Sequence, residues 1–362
     1  MKKKKIILTG GGTGGHITPL LVIAENVKNE ADIIFVGTGG MESRMVPSDI
    51  KFKKILAGKI RRYLTLGSCV LNIIDILKTI IGMVQSFFFV LFYNPDIVFA
   101  KGGYVSIPVV LTAAILRKKI YIHESDIIAG VSNKICGRFA RKIFVGFPEK
   151  FYFFPKNKMI YSGVPVRAEF QMKKTDEDYN FFNFSSKEKV LLVTGGSQGS
   201  RLFNQFIEKN IEIILEKTQL IVLSGNEFYE KFVSIKERLG DKKDKFQVYN
   251  FLNEMDKAIR ISDLIISRAS ATTMFEIAAA LKPSILIPLS TSASGHQEVN
   301  ANYGEEMGFA KKVSEKQFSN DDYIKFILDL LDNESELKKM SEACREFSKI
   351  DSIEIIKKEI FA

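Results

Sequence analysis

One pattern recurs along this 362-residue chain and restricts its fold more than any other feature: a short apolar run, a loop of glycine or small polar residues, then a helix. Ile6, Ile7 and Leu8 lead into Gly10-Gly11-Gly12-Thr13-Gly14-Gly15-His16, and helical character follows over 19–28. Residues 33–36 lead into a Gly-Thr-Gly-Gly turn, and 97–100 into Lys101-Gly102-Gly103-Tyr104. Residues 120–122 lead into His123-Glu124-Ser125-Asp126, with Ala129-Gly130 just beyond, and 142–146 form a further run. Uninterrupted apolar runs of this length are strands covered on both faces, the strands of a parallel sheet. After a polar, aperiodic segment at 173–187 the pattern restarts. Residues 189–194 lead into Gly195-Gly196-Ser197-Gln198-Gly199-Ser200, and strands follow at 220–223, 247–251, 264–266 and 285–288. The second half therefore repeats the architecture of the first. We expect an α/β chain of two domains, 1–165 and 166–340, and a charged C-terminal helix, 341–362, packing back on the first domain. Open sheets of this kind bind ligands at the carboxyl ends of their strands, where the glycine loops lie.

Two glycine-loop motifs of wide use do not fit. Gly10, Gly12 and Gly15 satisfy G-x-G-x-x-G, but no acid ends the second strand, and the loop lacks the Gly-Lys-Ser/Thr ending of a P-loop. The stretch 267–297 is more informative. A strand runs into Arg268-Ala269-Ser270-Ala271-Thr272-Thr273, a helix follows with Glu276 in its first turns, and the next strand ends in a polar loop closing on Gly295-His296-Gln297. Small residues opening a helix leave its first N–H groups and positive dipole end accessible, which suits a diphosphate. A carboxylate beside such a site would repel the phosphates unless it accepts hydrogen bonds from ribose hydroxyls. The plainer reading is a capped, buried helix with an ordinary first-turn acid.

The net charge of +10 favours anionic partners. Lysine and arginine are dense in the first half, at 2–5, 51–62, 117–119 and 138–142, although Lys311, Lys312, Lys338 and Lys339 show a general lysine excess as well. No aromatic–basic RNA motif or recognition helix accompanies the charge, so nucleic acid is not expected as a partner. Cys69, Cys136 and Cys344 are widely spaced and odd in number, which argues against a disulfide framework or zinc site and for a reducing compartment. The first apolar run is too short for a signal peptide, so we expect a cytoplasmic protein. Residues 70–93 are the unusual segment. As a helix they carry a narrow polar stripe (Asn72, Asp75, Lys78, Thr79, Gln85, Ser86) on an otherwise apolar surface, and the polar residues interrupt any transmembrane span. Such a helix more often packs into a core; the other reading is an exposed Phe/Ile/Leu face resting on an anionic membrane.

His16, His123 and His296 each sit in a loop after a strand, where a neutral imidazole can serve as a general base. None has metal-ligand spacing, and no metal or cofactor is expected. A bound diphosphate would then rest on backbone amides, helix dipoles, Thr13, Ser197, Thr272 and Arg167.

Six motifs occur in order: Gly11 to His16; Gly102-Gly103-Tyr104-Val105-Ser106; His123-Glu124 with Ala129-Gly130; Gly163-Val164-Pro165-Val166-Arg167; Gly195 to Gly199; and Arg268 through Glu276-Ile277-Ala278-Ala279-Ala280. Together they resemble the MurG family of peptidoglycan N-acetylglucosaminyltransferases over essentially the whole chain. The resemblance implies the GT-B architecture, two Rossmann-like domains with parallel sheets facing a central cleft. It also implies UDP-N-acetylglucosamine as donor and a lipid-linked muramyl-pentapeptide as acceptor at the cytoplasmic membrane face. By the same resemblance Ser197 and its loop hold donor phosphate, Leu252 passes the uracil, Glu276 binds ribose, and Ala271, Thr272 and Gln297 lie along the donor sugar. Thr13, Gly14, Gly15 and Arg167 line the cleft from the other side, Gly102, Gly103 and Tyr104 meet the acceptor, and His16 is the base, with Glu124 as the alternative. The chain departs from the family at Ser125-Asp126, where Gln-Asn is usual, so Asp126 meets the donor sugar as an acceptor without an amide donor. Another GT-B transferase, or a UDP-N-acetylglucosamine 2-epimerase, would share the uridine features; the epimerase would need neither the Gly102-Gly103-Tyr104 loop nor an apolar–basic patch.

Overall fold

Every strand pairing in both sheets is parallel, as the continuous apolar runs require. The computed structural model describes residues 3–59, 66–196, 199–292, 295–320, 322–348 and 351–362, the side chains of 66–69 excepted. The chain divides into two units, Met1–Pro165 with Ile350–Ala362, and Val166–Lys349.

The first unit holds a seven-stranded sheet made of β1 (Lys4–Thr9), β2 (Ala31–Gly37), β3 (Lys51–Lys54), β4 (Ile97–Ala100), β5 (Lys119–Glu124), β6 (Lys142–Val145) and β7 (Met159–Tyr161), in the order β3-β2-β1-β4-β5-β6-β7. The second holds β8 (Val190–Thr194), β9 (Gln219–Leu223), β10 (Phe246–Tyr249), β11 (Leu264–Ser267), β12 (Ser284–Leu286) and β13 (Ala310–Lys312), in the order β10-β9-β8-β11-β12-β13. Both orders reverse beside the first strand of the unit. The reversal opens a crevice at the carboxyl ends of β1 and β4 in one sheet and of β8 and β11 in the other. The central strands are buried throughout. The edge strands β3, β7 and β13, which the apolar runs do not reveal, are short, and β3 and β13 carry lysines, features that keep exposed edges from pairing with other chains.

The C-terminal segment is two helices where a single one over 341–362 is expected. Helix Glu334–Phe347 lies in the second unit and Ser352–Phe361 in the first. Ile356 and Ile360 of the last helix join the core formed by β1, β2 and helix Gly14–Val27. Lys4 Nζ donates to the carbonyls of Ile360 and Phe361 at its end.

Helix Leu66–Tyr93 does not pack into a core, which corrects the commoner expectation. Of its apolar window Val70–Tyr93 only 22% is buried. Its inner face is made by the polar and small residues: Asp75, Gly82 and Ser86 are buried, along with Val90. Gly58 N donates to Thr79 Oγ1 and Leu56 N to Gln85 Oε1, tying the segment after β3 to this stripe. Gly82 permits that approach, because a Cβ there would stand 1.7 Å from the Leu56 carbonyl oxygen. Asp75, Thr79 and Ser86 of the polar stripe thus face protein, and Ile73, Ile76, Leu77, Ile80, Val84, Phe88 and Phe92 face outward, Phe92 at 80% exposure. Asn94, at φ 51, ends the helix, its N–H bonding the Val90 carbonyl.

Candidate functional site

In the first unit the register pairs Thr9 with Ala100, so the glycine loop after β1 and the Lys101-Gly102-Gly103-Tyr104 loop leave the sheet side by side. They touch. Gly103 has φ +77, and a Cβ there would stand 2.4 Å from the Gly11 carbonyl oxygen, so this crossing requires glycine. The Tyr104 ring lies over Gly12. The following helix begins at Gly14, earlier than the 19–28 expected, which places Gly14, Gly15 and His16 in its first turn with their amides at the positive dipole end. Pre-strand pattern alone does not reveal this, because two glycines are poor helix formers.

His16 is half-buried there. Its Nδ1 lies 3.1 Å from the Gly11 carbonyl oxygen and 3.1 Å from Thr13 Oγ1. A carbonyl oxygen can only accept, so the Gly11 bond puts the ring proton on Nδ1 and leaves Nε2 with the lone pair a base needs.

Glu124 ends β5 and is buried. Its carboxylate accepts from Gly130 N at 2.8 Å, Asn133 Nδ2 at 3.0 Å and Asp126 N at 3.1 Å, which pins the 125–130 loop. Burial, first, and the Asp126 charge beside it push the Glu124 carboxyl above its ordinary pKa, making it a weaker acid. His123 is fully buried, donates from Nε2 to the Gly163 carbonyl at 2.9 Å, and is held neutral by burial and the Lys101 charge.

In the second unit the register pairs Thr194 with Ser267, so the 195–199 loop and Arg268 emerge together at the equivalent crevice. Ser197 lies outside the described residues. Gly199, at φ +74, passes so close to β9 that a Cβ would stand 2.3 Å from the Ser224 carbonyl oxygen. Ser200 caps helix Arg201–Lys217, and Ser270 caps helix Ala271–Ala279 by accepting from Thr273 N. Arg268 ties these parts together. It donates to Ser200 Oγ at 3.0 Å and the Ile287 carbonyl at 3.2 Å, and pairs with Glu315 at 2.8 Å. Glu315 in turn accepts from Ser290 N, so one guanidinium fixes both the glycine-loop end and the start of the polar loop. The sequence presents Arg268 only as the head of a motif. An arginine directly after a buried strand is the signal that could have found its role.

Ala271 and Thr272 are buried in the first turn of their helix. Glu276 follows one turn on, half-buried, with no hydrogen-bond partner among the described residues. Burial pushes its carboxyl up to about 7, with the Arg167 charge opposing. Arg167, expected on the side of Thr13, Gly14 and Gly15, belongs to the second unit. There it stacks on Phe170 and lies 3.4 Å from Asp256. Leu252 is buried beside the exposed Phe251. Gln297 Oε1 accepts from Leu289 N at 2.9 Å, which commits its oxygen to the loop and leaves its amide N–H groups as donors. Chemically, the second unit offers helix N-terminal amides for a diphosphate and, one turn away, a carboxylate without hydrogen-bond donors.

Comparison with known proteins agrees with this construction. The N-terminal domain of glycosyltransferase family 28 matches residues 6–145 and its C-terminal domain residues 190–355. A Clostridium perfringens protein named UDP-N-acetylglucosamine--N-acetylmuramyl-(pentapeptide) pyrophosphoryl-undecaprenol N-acetylglucosamine transferase is 34% identical over 92% of each chain. Among solved structures, Acinetobacter baumannii MurG superposes with a TM-score of 0.74 over 99% of both chains at 23% identity. A putative UDP-N-acetylglucosamine 2-epimerase from Listeria monocytogenes gives 0.68 at 17% identity, covering 98% of this chain and 95% of its own. These last two share the fold. With both family domains in order and a curated relative matched nearly end to end, the chain belongs to glycosyltransferase family 28, among the MurG N-acetylglucosaminyltransferases.

Proposed function

We propose that the chain transfers N-acetylglucosamine from UDP-N-acetylglucosamine to the 4-hydroxyl of the muramyl sugar of undecaprenyl-pyrophosphoryl-MurNAc-pentapeptide, completing the lipid-linked disaccharide of peptidoglycan synthesis. The observation that carries this reading is the 34% identity over 92% of both chains to a relative of that name. The second unit holds the donor. Amides opening helix Ala271–Ala279 and the 195–199 loop neutralise the diphosphate, Glu276 accepts from the ribose hydroxyls, Leu252 flanks the uracil, and Gln297 donates to the sugar. The first unit holds the acceptor at the Gly102-Gly103-Tyr104 loop. His16 Nε2 takes the proton of the attacking hydroxyl, and the new bond forms on the anomeric face opposite the departing UDP, so configuration inverts. Fixed amides and helix dipoles stabilise charge growing on the leaving diphosphate, as preorganised donors do elsewhere. Glu124, with three hydrogen bonds already accepted, supports the 125–130 loop and is the weaker choice of base.

Membrane contact belongs to the same reading. Helix Leu66–Tyr93 turns Ile73, Ile76, Leu77, Ile80, Val84, Phe88 and Phe92 outward. The exposed Ile115 and the basic run Arg117-Lys118-Lys119 follow at the end of the neighbouring helix, where Lys118 bonds Asn94 at this helix's end. Exposed apolar surface flanked by lysine and arginine suits the anionic cytoplasmic leaflet, with the chain lying on the membrane. A polar stripe facing protein supports lying on the surface: the side that would have to be buried in a core is already used.

The test is transfer of labelled N-acetylglucosamine into the lipid fraction by the purified chain, with UDP released in equal amount. Consumption of UDP-N-acetylglucosamine without a lipid acceptor, giving its 2-epimer, would contradict the proposal and favour the epimerase reading.

A further inference from the structure

No acid ends β2, but an acid in the short helix just beyond it, Glu42, folds back under the Gly-Thr-Gly-Gly turn. Glu42 is 1% exposed, a burial that glutamate seldom reaches without a cation beside it, and no lysine or arginine pairs with it among the described residues. Hydrogen-bond donors meet the carboxylate instead. Its Oε1 accepts from Thr38 N at 2.6 Å and from Thr38 Oγ1 at 2.7 Å. Burial alone would push this carboxyl up. The hydrogen bonds from the Thr38 hydroxyl and from the backbone N–H groups of Glu42, Thr38 and Gly40 outweigh it and hold the group below its ordinary range. Glu42 is therefore a fixed anion, not a solvated first-turn acid.

The turn alone does not account for where it sits. A Cβ on Gly37 would stand 2.5 Å from Glu42 Cγ, so the end of β2 admits the side chain only because it is glycine. A Cβ on Gly11 would stand 3.2 Å from both Glu42 Cδ and Oε2, and 3.2 Å from Val105 Cγ2. Gly11 is the residue whose carbonyl oxygen takes the Nδ1 proton of His16, and Gly103 closes on that same oxygen. Two neighbouring loops thus confine the one peptide that sets the His16 tautomer: Gly103 at its oxygen, Glu42 at its Cα.

We propose that Glu42 is a positioning residue for the proton acceptor: anchored by Thr38 and Gly40 and packed on Gly11, its carboxylate holds the Gly11 carbonyl where it accepts from His16 Nδ1, which keeps the lone pair on Nε2. The catalytic clause rests on the reading of His16 as the base; the tautomer clause does not.

The experiment compares E42Q and E42A with wild type in the full chain. E42Q keeps the side chain's volume but turns an N–H₂ group toward donors, so it loosens the clamp without emptying it. The first readout is the long-range proton–nitrogen NMR spectrum of the free, histidine-labelled protein at about pH 8, where a neutral ring reports which nitrogen carries the proton. The chain has three histidines, and H16A assigns the signal. His16 should be Nδ1–H in wild type and gain the Nε2–H form in both variants. His123, buried with its own partner in Gly163, should keep its signal and so report an intact sheet. The second readout is transfer: kcat should fall about ten- to a hundredfold in E42Q, with KM for UDP-N-acetylglucosamine within about twofold of wild type. An unmoved His16 tautomer in a variant whose His123 signal is intact would overturn the proposal whatever the activity. A moved tautomer with undiminished kcat would overturn the catalytic clause. Near-normal turnover in H16A would instead overturn the reading of His16 as the base, leaving the spectrum to decide what Glu42 holds.

Discussion

If Glu276 accepts from the ribose hydroxyls as proposed, its burial gives donor binding a defined pH dependence. Its carboxyl is raised to about 7 by burial, with Arg167 opposing, and it has no hydrogen-bond partner among the described residues. Only the ionised form can accept from both ribose hydroxyls, so the apparent dissociation constant scales as 1 + 10^(7 − pH). That factor is about 1.1 at pH 8 and about 11 at pH 6, a roughly tenfold loss of affinity, or about 1.4 kcal/mol. UDP-N-acetylglucosamine is the ligand to titrate, because its diphosphate has no terminal phosphate proton to lose in this range, whereas UDP does. Calorimetry at pH 6, 7 and 8 in two buffers of different ionisation heat should also detect proton release at pH 6. E276Q should bind about tenfold or more weaker at pH 8, having lost charge-assisted hydrogen bonds, and should show no slope. The free protein should respond in the opposite sense. A carboxyl raised above its ordinary 4.5 favours the fold below pH 4.5 and loses that advantage as pH rises through 7. E276Q should therefore stabilise the free protein at pH 8, by about 3 kcal/mol at most and by less for the share of the carboxyl in contact with water. Flat wild-type affinity between pH 6 and 8, or a slope retained in E276Q, would refute the ribose role.

Replacing the outward-facing Ile73, Ile80 and Phe92 together by serine should cut binding to anionic vesicles by about a hundredfold or more, read by flotation, because full burial of such a side chain gains about 1.5–3 kcal/mol and each of these has over half of its surface left to bury. The thermal midpoint should stay where it is, since these side chains support no core; equal flotation of variant and wild type would remove the membrane reading. R260M should cost about 3–5 kcal/mol in denaturant unfolding. Arg260 makes two bonds to Asp178, at 2.7 and 3.1 Å, and one to Asp256 at 2.8 Å, and all three side chains are buried or nearly so. A loss under about 1 kcal/mol would show that the two aspartates find other partners.

The parts of this fold legible from sequence are those where burial is symmetrical. β1, β4, β8 and β11 are apolar on both faces, so each appears as a continuous run, and the two order-reversal crevices follow from the glycine or small-residue loops that end them. The edge strands β3, β7 and β13 were not legible, because a strand such as Lys51–Lys54 owes its pairing to β2 and carries charge to protect its open side. Helix Leu66–Tyr93 shows why composition misleads: which stripe faces inward is decided by the close approach of Leu56 and Gly58 at Gly82 and Asp75, a tertiary fact. Of the site, Glu276, Thr272 and His16 could be picked out by their place in strand–loop–helix units. Arg268 could not be assigned a role, because a cation after a strand is ordinarily a solvated one and only the structure shows its partners. For Arg167 the expected boundary at 165/166 and the motif reading pointed to different sides, and it lies with the second unit, directly after the boundary.

If the second unit holds the donor and the first the proton acceptor, as proposed, H16A separates the two. Measured side by side, donor affinity by calorimetry and transfer to the lipid-linked acceptor should part company: H16A should bind UDP-N-acetylglucosamine within about twofold of wild type, while its turnover falls by about 10²–10⁴. Near-normal turnover in H16A, or loss of donor affinity in step with turnover, would contradict that division of labour.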